Sequence, residues 1–254
     1  MRIDWSVEQR DTNTVREFVE ARMEYRFVAG RIQDNVSGPP PRFTRNEFWR
    51  VMLGCLLTSQ QRSGPGEPVT RFLQRKPFEP ALAACSPRTA QSVVSNALTT
   101  FGGIRFHAKV SKYAAAGLAR LEAGDWARVE ENFEILLHQR SRDAESGDAR
   151  LERKAAAFID TFEGFGPKQS RNLWQWLGLT RFEIPLDSRV INWLNENCLF
   201  PFQLSAQSLQ DEAYYSLVMD GVEKVCAGAR ILPCVFDAAV FSDGQDWGAD
   251  ELEY

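Results

Sequence analysis

The sequence predicts an all-α protein, on three observations. Apolar residues recur at helical spacing along most of the chain, no stretch sustains the period-two alternation of a strand, and glycines, prolines and capping residues punctuate the periodic segments. From Asp11 to about Gln33 the helical face is Val15, Phe18, Val19, Met23 and Phe27, and Pro39-Pro40-Pro41 ends it as a linker. Thr44-Arg45-Asn46-Glu47 reads as a capping box that opens a helix through Phe48, Val51, Met52, Cys55 and Leu56, broken at Ser63-Gly64-Pro65-Gly66. Ser86-Pro87 pairs an N-cap with proline at N1 for a helix to about Thr100, stopped by Phe101-Gly102-Gly103. Another helix runs from about Phe106 to Glu122, and Asp125 is expected to cap the next, to about Gln139. Arg140 to Gly147 reads as a polar loop, and Asp148 to Thr161 as a helix. Segments 167–178, 187–198, 206–228 and 231–241 are helical in pattern, and there is no internal repeat.

At 254 residues and 44% hydrophobic content, the chain can form one large domain or two small ones sharing a groove. No apolar run approaches the roughly 20 residues of a membrane span. The polar start, Met1-Arg2-Ile3-Asp4-Trp5, lacks the apolar stretch of a signal peptide, so a cytoplasmic protein is expected. The five cysteines, Cys55, Cys85, Cys198, Cys226 and Cys234, form no CxxC or Cys/His cluster, and the two histidines are His107 and His138. Zinc, iron–sulfur and histidine-based triad chemistry are therefore not expected, and no metal site is assigned. The net charge is −4, but six acids and no base lie between Asp237 and Tyr254. The rest of the chain carries 30 bases against 28 acids, a net of +2, so an anionic partner would need a local basic face.

The most informative segment is Phe162-Glu163-Gly164-Phe165-Gly166-Pro167-Lys168, which ends one amphipathic helix and opens another. Two glycines one residue apart permit a tight turn with exposed amides, and Pro167 suits N1 of the second helix. Those amides and the helix dipole form a site for a DNA phosphate oxygen, with Phe162 and Phe165 as anchors to the core. An elbow with no ligand would show the same spacing. Lys168 argues against that, because a cation in the first helical turn opposes the dipole. The same field favours the neutral amine, a nucleophile able to form a Schiff base at a sugar C1′. Asp187 follows nineteen residues later in Ile184-Pro185-Leu186-Asp187-Ser188-Arg189, placed to cap a helix through Val190, Ile191 and Leu194. A plain N-cap would account for Asp187 alone. Beside a second helix N-terminus, its carboxylate would also stabilise an oxocarbenium-like sugar.

Gly164-Phe165-Gly166-Pro167-Lys168 followed by Pro185-Leu186-Asp187 resembles the helix-hairpin-helix/GPD superfamily of DNA glycosylases. The resemblance covers about residues 44–200. It implies two helical subdomains with the hairpin at a DNA-binding cleft, Lys168 as Schiff-base nucleophile and Asp187 as its electrostatic partner. Leu56-Leu57-Thr58-Ser59-Gln60 looks like the segment whose glutamine fills the gap left by a flipped base, which points to Gln60 with Gln61 beside it. Gly103-Ile104-Arg105-Phe106-His107-Ala108-Lys109 through Tyr113 looks like a stretch of the type-2, largely archaeal 8-oxoguanine glycosylases. The implied divisions are an N-terminal helix (1–40) packed on the second subdomain, a helical subdomain (41–145), a hairpin and catalytic subdomain (146–241) and an acidic tail (242–254). The expected activity is base excision with lyase action, 8-oxoguanine first among the bases. The expected partner is double-stranded DNA bound by a monomer. No cofactor is expected beyond a monovalent cation at the hairpin.

Two departures from the family pattern stand out. Arg189 replaces the family's histidine in Asp-x-His, and the chain ends in acidic residues where the type-2 branch has a base-reading lysine. A glycosylase for hypermodified phage-type bases and a non-enzymatic DNA-binding module therefore remain open as alternatives. Phosphate contacts are expected from Gly164, Gly166, Arg62, Arg105, Lys109, Lys112, Arg171 and Arg189. A base pocket is expected from Trp174, Trp193, Phe236 and Asp237, with Trp176 and Phe241 nearby, and one of Trp174 and Trp176 in the core.

Overall fold

A computed structural model describes residues 4–59, 61, 64–141 and 147–244. Among these there is no strand. The helices are α1 (Gln9–Glu20), α2 (Arg26–Ile32), α3 (Arg45–Leu57), α4 (Pro68–Leu73), α5 (Ala90–Phe101), α6 (His107–Arg120), α7 (Trp126–Arg140), α8 (Ala149–Asp160), α9 (Pro167–Trp176), α10 (Ser188–Glu196), α11 (Glu212–Ala229) and α12 (Pro233–Ser242).

Local chemistry sets several of the boundaries. Thr44 accepts the amide of Glu47 at 3.1 Å, but the Glu47 carboxylate turns to Arg50 instead of closing the box. Asp148 caps α8 through the Arg150 amide at 2.9 Å. Elsewhere tertiary contacts override the sequence pattern. The single helix expected over 11–33 is two helices, because α1 packs on α11 while α2 packs on α12, and one straight rod does not follow both. Asp125 does not cap α7: its carboxylate holds Arg120 at 2.7 Å, and Gly124, at φ 131°, makes the kink. Thr89 rather than Ser86 precedes α5, with Ser86 and Thr89 bonded to each other at 2.9 Å. The short α4, opened by Pro68 at N1, has no counterpart in the sequence reading. The helix expected from 206 begins at Glu212, capped by Asp211.

The buried apolar side chains form two clusters. One spans Phe48 to Leu179 and is centred on α3, whose residues 51–57 are all buried. The other joins Val15, Val19 and Val28 to residues 184–240. Helices α8 and α9 pack with the first cluster, and the break between the two apolar clusters falls at 179–184.

A buried polar network crosses that division. Glu152 of α8, fully buried, accepts the amides of Arg181 (3.0 Å), Phe182 (2.8 Å) and Glu183 (2.8 Å). Burial pushes its carboxyl up to about 7 against the pull of those N–H groups. Arg171 of α9 pairs with Glu183 at 2.6 Å and Glu212 at 2.7 Å, donates to the Pro167 carbonyl at 3.0 Å, and lies 4.3 Å over the Tyr215 ring. The Tyr215 hydroxyl accepts the Leu186 amide at 2.6 Å and donates to the Ile184 carbonyl at 2.8 Å.

Arg171→Met would leave the Glu183 carboxylate buried without this partner. It is expected to cost about 3–5 kcal/mol of stability in urea unfolding. A cost below about 1 kcal/mol would show that the network does not hold the two clusters together.

Candidate active site

The hairpin consists of α8, residues 161–166 and α9. Gly164 sits at φ 87°, and a Cβ there would lie 2.2 Å from the Tyr113 ring, so both conformation and space require glycine. Gly166 is extended (φ −150°) and uncrowded, and as N-cap of α9 it brings no capping side chain. Pro167 has no N–H of its own, and because Gly166 has no side chain the first-turn amides of Lys168 and Gln169 receive no side-chain cap. Phe162 is buried and Phe165 packs against the first cluster, anchoring the turn. A recess of about 410 Å³ lies over the hairpin, lined by Lys109, Tyr113, Gly164, Gly166 and Lys168 among others.

Lys168, half-buried, also lines a larger cavity of about 580 Å³, and Asp187 lines that same cavity. Asp187 caps α10: Oδ1 accepts the amides of Arg189 (2.8 Å) and Val190 (3.1 Å), while Oδ2 stands 3.7 Å from Arg189 Nη1. Residues separated by nineteen positions thus line one cavity from the N-termini of two helices. The Arg171 and Tyr215 contacts fix the backbone on both sides.

Helical period decides which side chains reach the cavity. On α9, Lys168, Asn172, Gln175 and Trp176 stand at i, i+4, i+7 and i+8 and line it. Gly54 of α3 makes room for Trp176, since a Cβ at position 54 would lie 2.6 Å from its ring. Trp174 points the other way, fully buried 6.2 Å from Phe48, so it is core and not a pocket wall. Arg171, expected at a phosphate, is instead fully buried and pairs with Glu183 and Glu212, so it does not reach one. On α12, Asp237 and Phe241 share a face and line the cavity, whereas Phe236 is 1% exposed and packs in the core. Trp193 likewise sits between Phe18 and Phe236 at 4.8 and 4.9 Å.

The remaining expected contacts fall as follows. Arg105 is exposed at the cavity, 4.9 Å over Phe106, and Lys109 is exposed beside the recess, 5.6 Å over Tyr113. Lys112 is exposed on α6. Arg189 is half-buried with its guanidinium 4.1 Å over Phe241. Gln61 lines the cavity as a brace, donating to the Leu57 carbonyl (2.8 Å) and accepting the Arg105 amide (2.9 Å). Gln60, Arg62 and the tail beyond Gly244 lie outside the described residues. Phe27, expected only on the apolar face of a helix, and Arg31, which the sequence did not mark, line the cavity from α2 at i, i+4 spacing. Phe27 stacks on Phe241 at 4.7 Å, and Arg31 faces Asp237 at 3.8 Å.

Burial pushes the Asp237 carboxyl up to about 7, opposed by Arg31, reinforced by Asp187 and opposed again by Lys168 and the nearby Gln175 amide. Among the described residues no group of three or more His, Cys, Asp or Glu is placed to hold a metal ion, and no single helix is long and apolar enough to cross a membrane.

The fold is shared with two solved DNA glycosylases. The 8-oxoguanine DNA glycosylase of Methanocaldococcus jannaschii superposes with a TM-score of 0.62, at 16% identity, over 92% of this chain and 94% of that one. That of Thermotoga maritima gives 0.59 at 15% identity, over 91% and 93%. No protein-family model matches the chain, and no curated protein matches it.

A carboxyl raised by burial binds its proton more tightly when folded. Asp237 therefore stabilises the fold at low pH, and that contribution is lost as pH rises from about 4 through 7. In carbon NMR its carboxyl is expected to titrate near 7, and the stability of Asp237→Asn relative to wild type should grow over the same range. A midpoint below 5, near the ordinary 3.8, would contradict this.

Proposed function

We propose that this protein is a DNA glycosylase that flips a modified base, 8-oxoguanine first among them, out of double-stranded DNA and into the 580 Å³ cavity. The observation that carries the reading is that Lys168 and Asp187 line one cavity from two helix N-termini, beside a hairpin with uncapped amides. The shared fold of two 8-oxoguanine DNA glycosylases supports it.

The hairpin amides and Lys109 hold phosphate oxygens, and Arg105 and Arg189 add positive charge at the cavity. As the N-glycosidic bond breaks, its electron pair leaves with the base, which takes up a proton. Positive charge spreads over C1′ and the ring oxygen, where the Asp187 carboxylate stabilises it. The Lys168 amine forms a bond to C1′ and gives up a proton as the C1′–ring-oxygen bond breaks, leaving an iminium and a protonated ring oxygen. Loss of the C2′ proton then expels the 3′ phosphate by β-elimination and nicks the strand. The protein acts as a monomer in this scheme and needs no cofactor.

Borohydride reduction with an 8-oxoguanine duplex should trap wild type on DNA and fail to trap Lys168→Ala; an undiminished crosslink in that variant would exclude Lys168 as the nucleophile. Asparagine caps helices as well as aspartate, so Asp187→Asn should keep its melting temperature. Its single-turnover base release should fall by about 10²–10³-fold from the lost charge. Unchanged release would remove Asp187 from the chemistry.

A further inference from the structure

One polar corner of the cavity has hydrogen-bonding capacity that the fold does not use. Gln175 is 1% exposed; neither its Oε1 nor its Nε2 has a partner in good hydrogen-bond geometry, and its side chain lies close enough to the Asp237 carboxyl to favour the charged form. Unpaired buried amide groups are destabilising, and a fold selected for stability alone would place an apolar residue there. The backbone carbonyl of Gln175 accepts from the buried Asn35 side-chain amide at 2.9 Å and from Arg31 Nη1 at 3.5 Å, which fixes this turn of α9 against the segment after α2. Asp237 is 4% exposed and stands 3.8 Å from Arg31 Nη2, an ion pair beyond hydrogen-bond length that leaves acceptor capacity on the carboxyl. All three residues line the cavity that holds Lys168 and Asp187.

We propose that Gln175 is a specificity-determining residue of this site: with Asp237 and Arg31 it reads the hydrogen-bonding edge of the flipped base, favouring adjacent N–H donors beside a carbonyl. This rests on the glycosylase reading above. A carboxylate accepts two parallel N–H bonds from such an edge as it does from a guanidinium. Gln175 adds one acceptor and one donor, and Arg31 supplies a donor to the carbonyl. A 2-amino-6-oxopurine meets the set. Removing its 2-amino group deletes a donor and leaves a buried acceptor unpaired. An adenine edge sets its N1 lone pair against the acceptors.

The test compares wild type with Gln175→Leu on duplexes carrying 8-oxoguanine or 8-oxohypoxanthine, which lacks the 2-amino group, and on a duplex with a tetrahydrofuran abasic analogue. Wild type is expected to release 8-oxoguanine about tenfold faster or more under single turnover. The variant should lose about tenfold or more in release of 8-oxoguanine and discriminate little between the two bases. It should bind the abasic duplex, which presents no base, as wild type does, and melt at the same or a higher temperature because two unpaired polar groups are gone. Retention of full rate and preference in the variant would overturn the assignment. So would a joint loss of release, abasic binding and melting temperature, which marks a structural role. Release by wild type of bases without this edge, untouched by the substitution, would overturn this inference alone. Abasic binding by wild type without release of any lesion would bring down the glycosylase reading, and this inference with it.

Discussion

The geometry of the site depends on one buried cation. Arg171, with no exposed surface, grips Glu183 in the segment that joins the two clusters, Glu212 of α11, and the Pro167 carbonyl at the start of its own helix. Glu183 belongs to the segment that Glu152 holds through three backbone amides, and that segment leads within four residues to Asp187. Tyr215, under the Arg171 guanidinium, pins the two residues on either side of Pro185. Lys168 and Asp187 are therefore not positioned by a contact with each other. Each is fixed to the same buried scaffold, which leaves both side chains directed to the cavity. Charges this far from water contribute little net stability, but they tolerate few alternative arrangements, and a nucleophile and its electrostatic partner require that kind of specificity.

The cavity shows the complementary arrangement. Around Lys168, the fold keeps groups that a stable core would satisfy or discard: uncapped amides at the start of α9, an unpaired buried amide at Gln175, and a carboxyl at Asp237 that burial drives toward neutrality. Such groups are costly while the site is empty and become useful when a ligand supplies partners. The Arg171, Glu183 and Tyr215 side chains of the network are hydrogen-bonded, whereas the Gln175 amide at the cavity is not.

Much of this was legible in the sequence wherever the determining physics is local. Thr44 and Asp187 could be read as caps because capping involves amides two or three residues away. Gly164 and Pro167 marked the hairpin because φ preference and a missing N–H belong to the residue itself. What the sequence hid was long-range. Arg171 next to a glycine-rich turn has the pattern of a phosphate contact, and only burial against Glu183 and Glu212 makes it scaffold. Trp174 and Trp176 differ by two positions, so they face different ways, but which one meets the cavity depends on Gly54 of α3. Arg31 and Phe27 lie far from the hairpin in sequence, and α2 turns toward α12 without any glycine or proline to announce the break at 21–25. Extending the i, i+4, i+7 face from Lys168 along α9 would have found Asn172 and Gln175.

The most direct measurement is the crystal structure of the protein trapped by borohydride on a damaged duplex. The account predicts a covalent bond from Lys168 Nζ to C1′, the Asp187 carboxylate within about 4 Å of the sugar, and the Arg171–Glu183 pair intact. Attachment through a different lysine, or an Asp187 carboxylate turned away from the sugar with the Arg171 network rearranged, would contradict it.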